Sequence, residues 1–140
     1  MKKVVLEIRS GIPKDLKVNR SRYTHVGATA GAKNELQRMV YLEAYDFKDK
    51  YEDETGGRWK PLEKGTISYT LVIMNRRFVQ DDDNVITAFK GLRDELQVEK
   101  KGKIAGCGSI TTDKQFRTGD IKWEVDAKRA PRIIITIEGK

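Results

Sequence analysis

The most informative stretch of the sequence is Thr-Ile-Ser-Tyr-Thr-Leu-Val-Ile-Met, residues 66 to 74. It is rich in β-branched and aromatic residues, which suit a pleated, half-buried surface, so we predict a β-strand. Asp81-Asp82-Asp83-Asn84 follows soon after, and apolar residues then recur at helical spacing: Val85, Ala88, Phe89, Leu92 and Leu96. The pattern predicts a strand that leads into one amphipathic helix, with Asp83 or Asn84 as the N-cap.

The sequence before this strand predicts one more strand and one more helix. Lys3 to Arg9 is short, β-branched and followed by Ser10-Gly11-Ile12-Pro13, which indicates a strand and its end. Residues 30 to 49 place Leu36, Met39, Val40, Ala44 and Phe47 at helical spacing, which predicts an amphipathic helix. Residues 14 to 28 and Tyr51 to Gly65 lack periodicity and are expected to be loops.

The sequence after the aspartates predicts a loop and two strands. Residues 97 to 112 are basic and contain several glycines, which is typical of a connecting segment. Lys122 to Asp126 and Arg132 to Glu138 have the composition of strands. We therefore expect an α+β fold, a mixed α/β arrangement with the order β-α-β-α-β-β, in a single domain that spans residues 1 to 140.

Composition excludes several classes of protein. The 140 residues include one cysteine, Cys107, and one histidine, His25, so an intramolecular disulfide and a Cys/His zinc site are excluded and a cytoplasmic location is expected. The longest apolar runs are far below the roughly 20 residues that span a bilayer, and the first residues lack the pattern of an export signal. A net charge of +7 favours a polyanionic partner.

Basic residues concentrate in three segments that are candidates for contact with nucleic acid. The segment from 14 to 28 is basic and includes Tyr23, residues 97 to 112 contain several lysines, and two arginines stand just before the aspartates. Strand alternation places those two arginines on opposite faces, so at least one could bind a phosphate or balance the charge of the carboxylates. For the other two segments, a solvated loop is the alternative explanation. The candidate phosphate contacts are Arg20, Arg22, Arg76, Arg77, Lys100, Lys101 and Lys103.

The three consecutive aspartates suggest a cation site. In an extended backbone, residues i and i+2 point to the same side, so Asp81 and Asp83 can converge on one cation while Asp82 points away. Mg²⁺ prefers such oxygen ligands, together with water and substrate phosphate. The alternative is that the acids cap the following helix and interact with its dipole.

These residues, read together, resemble a known family. The run from Asp81 to Asn84, a helix with Lys90 and Asp94-Glu95-Leu96, and the segment Gly108-Ser109-Ile110-Thr111-Thr112-Asp113-Lys114-Gln115-Phe116 resemble the RusA family of Holliday junction resolvases. Asn19 to His25 and the final strand from Pro131 resemble the same family more loosely. The resemblance implies a homodimeric, Mg²⁺-dependent endodeoxyribonuclease that acts in DNA recombination and repair.

The resemblance also implies roles for single residues. Asp81, Asp83 and Asp113 correspond to the metal-binding acids, with Asp120 as the alternative third ligand. The position of the functional lysine is Thr87 here, and Lys90 follows one turn later, where it would stabilise charge or orient water because a protonated lysine is a poor base. Other departures are Thr112 in place of an aspartate and a long insertion between Leu96 and Gly108.

Four further residues have predicted roles, and for three of them the sequence leaves two interpretations open. Asn84 either bonds a liganding carboxylate or caps the helix, Asp94 is expected to pair with Lys90 at i+4, and Trp59 and Trp123 either stack on unpaired bases or belong to the core.

The expected function is the symmetric hydrolysis of phosphodiester bonds in a four-way DNA junction. One or two Mg²⁺ ions, with Mn²⁺ as a substitute, would serve as cofactor, and the site residues would be Asp81, Asp83, Asp113 and Lys90. Two symmetric cuts require two sites related by a two-fold axis, which a C₂ dimer provides. The alternatives are a non-catalytic protein that binds branched DNA and a metal-dependent nuclease for flaps or single strands.

Overall fold

A computed structural model describes residues 2–11, 26–98 and 108–140, without the side chains of residues 26–30, 32–34 and 91. It is an α+β fold in which the helices pack on a four-stranded mixed sheet, as the sequence predicts. The strands are β1 (Lys2–Ile8), β2 (Gly65–Ile73), β3 (Phe116–Val125) and β4 (Arg132–Gly139), and the α-helices are α1 (Val26–Thr55), α2 (Asp82–Ala88) and α3 (Lys90–Leu96). Two 3₁₀ helices, Arg76–Phe78 and Asp113–Gln115, precede α2 and β3.

The sheet has the strand order β1-β4-β2-β3, in which β2 and β3 are parallel and the other pairs are antiparallel. Leu6, Ile135 and Tyr69 are opposite one another on three neighbouring strands, and all three are buried. Because side chains alternate along a strand, this row and its neighbours at i±2 form one apolar face. The α-helices cover that face, and the core lies between the two layers.

Helix α1 is longer at both ends than the sequence pattern predicts. The predicted apolar face is confirmed, because Leu36, Val40 and Ala44 are buried. The expected loops at residues 26 to 28 and 51 to 55 are wrong, since the helix begins at Val26 and ends at Thr55. Gly56 ends it with φ of 71°, a left-handed conformation that favours glycine, and its N–H donates to the carbonyl of Glu52.

The predicted second helix is two short helices. Phe89, with φ of −97° and ψ of 5°, separates α2 from α3. Its ring is fully buried and lies 4.9 Å from the ring of Tyr69, so the break follows the packing of this side chain on the sheet. The expected apolar positions are all buried, which confirms the periodicity: Val85, Ala88, Phe89, Leu92 and Leu96.

Strand β4 lies where the sequence predicts it, whereas β3 begins at Phe116, six residues before the predicted Lys122. The added part begins with the buried Phe116, but Arg117, Thr118 and Asp120 are exposed and polar, so it lacks the apolar pattern of a strand. The β2–β3 register shifts between Ile67 and Tyr69, close to Gly119 of β3. A Cβ on Gly119 would lie 2.3 Å from the Ser68 hydroxyl oxygen, so a larger residue here would need the side chains of Ser68 and Thr66 to move.

Among the described residues, no helix is long and apolar enough to cross a membrane.

Candidate functional site

The acidic run begins outside α2 and continues into it. Asp81 is the N-cap, with φ of −63° and ψ of 148°, and Asp82 and Asp83 form part of the first turn. The prediction that Asp83 or Asn84 caps the helix is therefore wrong. The prediction that Asp81 and Asp83 share a side through strand alternation is also wrong, because the backbone becomes helical between them. All three aspartates are exposed.

Asp81 does not cap α2 with its side chain. The carbonyl oxygen of Asp81 accepts from the N–H groups of Asn84 and Val85, but its carboxylate makes no capping hydrogen bond. An N-cap aspartate commonly accepts from the second or third amide of its helix. The carboxylate of Asp81 is thus exposed at the start of α2, where it makes no capping hydrogen bond, while the positions of all three aspartates remain favourable for interaction with the helix dipole.

Asp113 begins the second 3₁₀ helix and is held by Arg93 of α3. The Arg93 Nε donates to the Asp113 Oδ1 at 2.5 Å, and the side chains of the two residues are 14% and 39% exposed. The same guanidinium donates to the Thr118 hydroxyl at 2.6 Å and to the Phe116 carbonyl at 2.8 Å. Arg93 therefore fixes Asp113 relative to the start of β3.

Tyr69 lies buried beside this pair. Burial raises the pKa of Tyr69 to about 12, the positive charge of Arg93 lowers that pKa and the negative charge of Asp113 raises it. Its hydroxyl makes no hydrogen bond of ordinary geometry within the described part of the chain. The side chains of Tyr69, Arg93 and Asp113 therefore lie close together between α3 and the sheet.

The three predicted metal ligands have the right chemistry but are not gathered around one point. Carboxylate oxygens are suitable ligands for Mg²⁺. Within residues 2–11, 26–98 and 108–140, however, no three His, Cys, Asp or Glu side chains form a group that could hold a metal ion. One oxygen of Asp113 is bound by Arg93, while Asp81 and Asp83 stand at the start of α2. Binding a cation with all three carboxylates would require α2 and the 3₁₀ helix of Asp113 to adjust.

Lys90 is the first residue of α3 and is exposed. The sequence predicts one helix that contains both the aspartates and Lys90, whereas the break at Phe89 places Lys90 in a separate helix from Asp82 and Asp83. The predicted Lys90–Asp94 ion pair is also not found among the described side chains. Asp94 instead accepts a hydrogen bond from the Gln97 side chain at 3.4 Å.

Arg76 and Arg77 lie in the first 3₁₀ helix, so the prediction that strand alternation puts them on opposite faces is wrong. Both are exposed, and the Arg77 guanidinium lies 5.1 Å from the centre of the Phe78 ring. The other candidate phosphate contacts lie outside the described residues: Arg20, Arg22, Lys100, Lys101 and Lys103.

Trp59 and Trp123 both pack against the core, as the second of the two readings expects. The indole N–H of Trp59 donates to the Gly108 carbonyl at 3.1 Å, and its ring meets Phe47 and Tyr51 edge-on. Asp120, the alternative third ligand, is exposed on β3.

Sequence reasoning misses Arg93 and Tyr69. Arg93 stands four residues after Phe89 and next to Leu92, within the apolar stripe of the predicted helix. A charged residue in such a stripe needs a partner when the helix packs, and that position is the signal that points to Arg93. Tyr69 alternates with Ile67 and Leu71 on the core face of its strand and gives no such signal.

No protein-family model matches the chain, and no curated protein matches it.

Proposed function

We propose that the chain is a RusA-like, Mg²⁺-dependent endodeoxyribonuclease that cuts branched DNA. The observation that carries the proposal is the Asp81 carboxylate, which is exposed and makes no capping hydrogen bond. A capping hydrogen bond is a common structural role of an aspartate at this position, and Asp81 does not make one. A role as a metal ligand accounts for Asp81. The order of the motif residues resembles that of the RusA family, and this resemblance implies that the metal is Mg²⁺.

Asp81, Asp83 and Asp113 are the residues that would hold Mg²⁺. When bound, the ion would activate water and stabilise negative charge on the scissile phosphate. Arg93 is a positioning residue, because its hydrogen bonds tie the Asp113 carboxylate to β3. Lys90 is exposed at the start of α3, where its flexible side chain would stabilise charge on the DNA backbone.

The proposed active form is a homodimer. Resolution of a four-way junction requires two cuts in strands of the same polarity, and a C₂ dimer presents two identical sites in the required symmetry.

The experiment that tests the ligand roles compares four single variants of the aspartates. Asp81→Asn, Asp83→Asn and Asp113→Asn should each lower the Mg²⁺-dependent cleavage rate at least about 100-fold, since each removes a charged ligand. Asp82→Asn is the matched control, because it removes the same charge from an exposed residue of the same run. A control that loses as much activity as the other three would contradict the assignment of ligands.

A second candidate function is the binding of branched DNA without cleavage. It is favoured by the hydrogen bond between Asp113 and Arg93, because this bond occupies one oxygen of Asp113 and the described residues include no group of three acids that could hold a metal ion. This function predicts that junction affinity is the same in Mg²⁺ and in EDTA and that neither cation produces nicks. Gel-shift titration of a four-way junction under both conditions, with denaturing gels of the same samples, distinguishes the two functions.

A further inference from the structure

A basic cleft of about 770 Å³ lies at one end of the sheet, where β2, β4 and the second 3₁₀ helix meet. Its charged lining residues are four bases and one acid, all exposed: Lys64, Lys114, Arg117, Lys140 and Glu138. Lys114 follows Asp113 in the same 3₁₀ helix. One residue of the cleft is therefore next in the chain to Asp113, the third residue of the proposed metal-binding set.

Two paired glycines line the cleft where β2 and β4 approach closely. Gly65 of β2 and Gly139 of β4 are opposite each other in the sheet. A Cβ on Gly65 would lie 2.0 Å from the Glu138 carbonyl oxygen, and one on Gly139 would lie 2.2 Å from the Lys64 carbonyl oxygen. The strands approach so closely here that neither position accepts a side chain.

The small side chains of β2 add hydrogen-bonding groups to the same cleft. Thr66 and Ser68 line it with half-buried hydroxyls. Thr66 pairs with Arg117 and with Glu138 in the sheet, so one row across three strands carries a hydroxyl between a base and an acid. Hydroxyls, lysines and arginines are the groups that commonly bind phosphate oxygens of a nucleic-acid backbone.

The positive surface continues beyond the cleft. A second cleft of about 400 Å³ shares Gly139 and Lys140 with the first and is also lined by Lys60. The charged residues that line the two clefts together are six bases, with Lys2 and Lys60 added by the second cleft, and two acids, Glu63 and Glu138. Such a surface suits an extended polyanion better than a small anionic ligand.

We propose that this basic cleft binds the phosphate backbone of a duplex arm of the DNA substrate. The inference rests on the proposed function, because it places the bound backbone next to Asp113. It assigns binding to Lys64, Lys114, Arg117 and Lys140, which are separate from the basic segments that the sequence singles out. The contacts are to the backbone, so recognition at the cleft does not depend on base sequence.

The lining favours a duplex over a single strand. Proteins that bind single strands combine a basic groove with exposed aromatic rings on which bases stack. Phe116 is the aromatic residue among those that line the cleft, and it is buried in the core. The cleft thus offers cations and hydroxyls to a backbone and no ring to an unstacked base.

The first test is the salt dependence of DNA binding, measured in EDTA so that no cleavage occurs. Lys114→Gln and Arg117→Gln should each weaken the affinity for a duplex about fivefold near 0.15 M salt and lower the slope of log K against log salt by about 0.9. Lys128→Gln is the matched control, because this exposed lysine precedes β4, at the end of that strand opposite Gly139. If Lys114→Gln and Arg117→Gln change the affinity and the salt dependence no more than Lys128→Gln does, the proposal is wrong.

The second test is a gain of affinity, which a folding defect cannot produce. Glu138→Gln removes the acid of the cleft and should tighten duplex binding about two- to fivefold, by the same electrostatic reasoning. Glu54→Gln, an exposed acid at the end of α1, should change the affinity much less. Equal effects of the two substitutions would contradict the role of the cleft.

The two proposals fail in different ways. If the protein binds duplex DNA through the cleft residues but cuts no DNA, the proposed role of the cleft is supported and the proposed nuclease function is wrong. If the wild type cuts junctions, and Lys114→Gln and Arg117→Gln bind and cut as the wild type does, the proposed role of the cleft is wrong. The proposed nuclease function is then unaffected. Tighter binding to single strands or to RNA than to duplex DNA would overturn the assignment of the ligand.

Discussion

Arg93 and Asp113 are 20 residues apart in the sequence and joined by a hydrogen bond of 2.5 Å between Nε and Oδ1. The bond connects α3 to the 3₁₀ helix that leads into β3, and the same guanidinium also holds Thr118 and the Phe116 carbonyl. One largely buried side chain thus determines where a proposed metal ligand stands. The basic cleft begins at the next residue, Lys114, so its position depends on the same interaction.

Replacing Arg93 should destabilise the protein. Arg93→Ala removes three hydrogen bonds from a side chain that is 14% exposed and leaves Asp113 without its partner, so the free energy of unfolding should fall by about 2 to 3 kcal/mol. Urea unfolding measures this change as a lower midpoint at constant slope. Arg76→Ala, an exposed arginine in a 3₁₀ helix, should stay within about 0.5 kcal/mol of the wild type. Equal midpoints for the two variants would contradict the structural role of Arg93.

Replacing Tyr69 should remove a loss of stability at high pH. The native pKa of Tyr69 is raised by burial to about 12, whereas the unfolded chain loses this proton near pH 10. Between those values the unfolded state binds fewer protons, so the free energy of unfolding falls as the pH rises. From pH 9.5 to 11 the wild type should therefore lose about 1 kcal/mol more than Tyr69→Phe.

Unfolding at both pH values tests this difference, with Tyr45→Phe as the control because Tyr45 is 42% exposed. The Tyr69→Phe protein should fold normally at neutral pH, since the hydroxyl makes no hydrogen bond of ordinary geometry among the described residues. Parallel losses in the wild type and in Tyr69→Phe would show that Tyr69 titrates normally.

Replacing Glu95 should raise stability at neutral pH. Glu95 of α3 is 8% exposed, and burial raises the pKa of its carboxyl. The protonated form is therefore favoured in the native state, and stability falls as the pH rises from the ordinary pKa of a glutamate through the raised value. Glu95→Gln removes this dependence, so its gain over the wild type should be larger at pH 7 than at pH 4. Urea unfolding at the two pH values checks this, with Glu54→Gln as the exposed control, and equal gains would contradict it.

The sequence predicts the fold well where the periodicity is strong. The strand at residues 66 to 74 and the buried positions from Val85 to Leu96 are confirmed, because each pattern reflects burial on one face. The break at Phe89 has no local signal, since the apolar repeat continues through it and the ring packs on a tyrosine of β2. The exposed first half of β3 is missed for a related reason, because pairing with β2 rather than apolar alternation makes it a strand.

The candidate site is predicted in part. The positions of Asp81 and Asp113 follow from the chain order, but the bond that holds Asp113 depends on how α3 packs against β3, which short-range spacing does not encode. The spacing of residues in the sequence does not predict the basic cleft, for the same reason. Lys64, Lys114 and Lys140 are far apart in sequence. The pairing of β2 with β4 brings Lys140 to Lys64, and the pairing of β2 with β3 brings Lys114 to the same end of the sheet.

The most direct measurement is the cleavage of a labelled synthetic four-way junction beside a linear duplex of the same sequence, in Mg²⁺ and in EDTA. We expect paired, symmetric nicks in the junction that require Mg²⁺ and are lost in Asp81→Asn but kept in Asp82→Asn. Tight binding of the junction without nicks in Mg²⁺ or Mn²⁺, or cleavage that survives Asp81→Asn, would contradict the proposed metal-dependent nuclease.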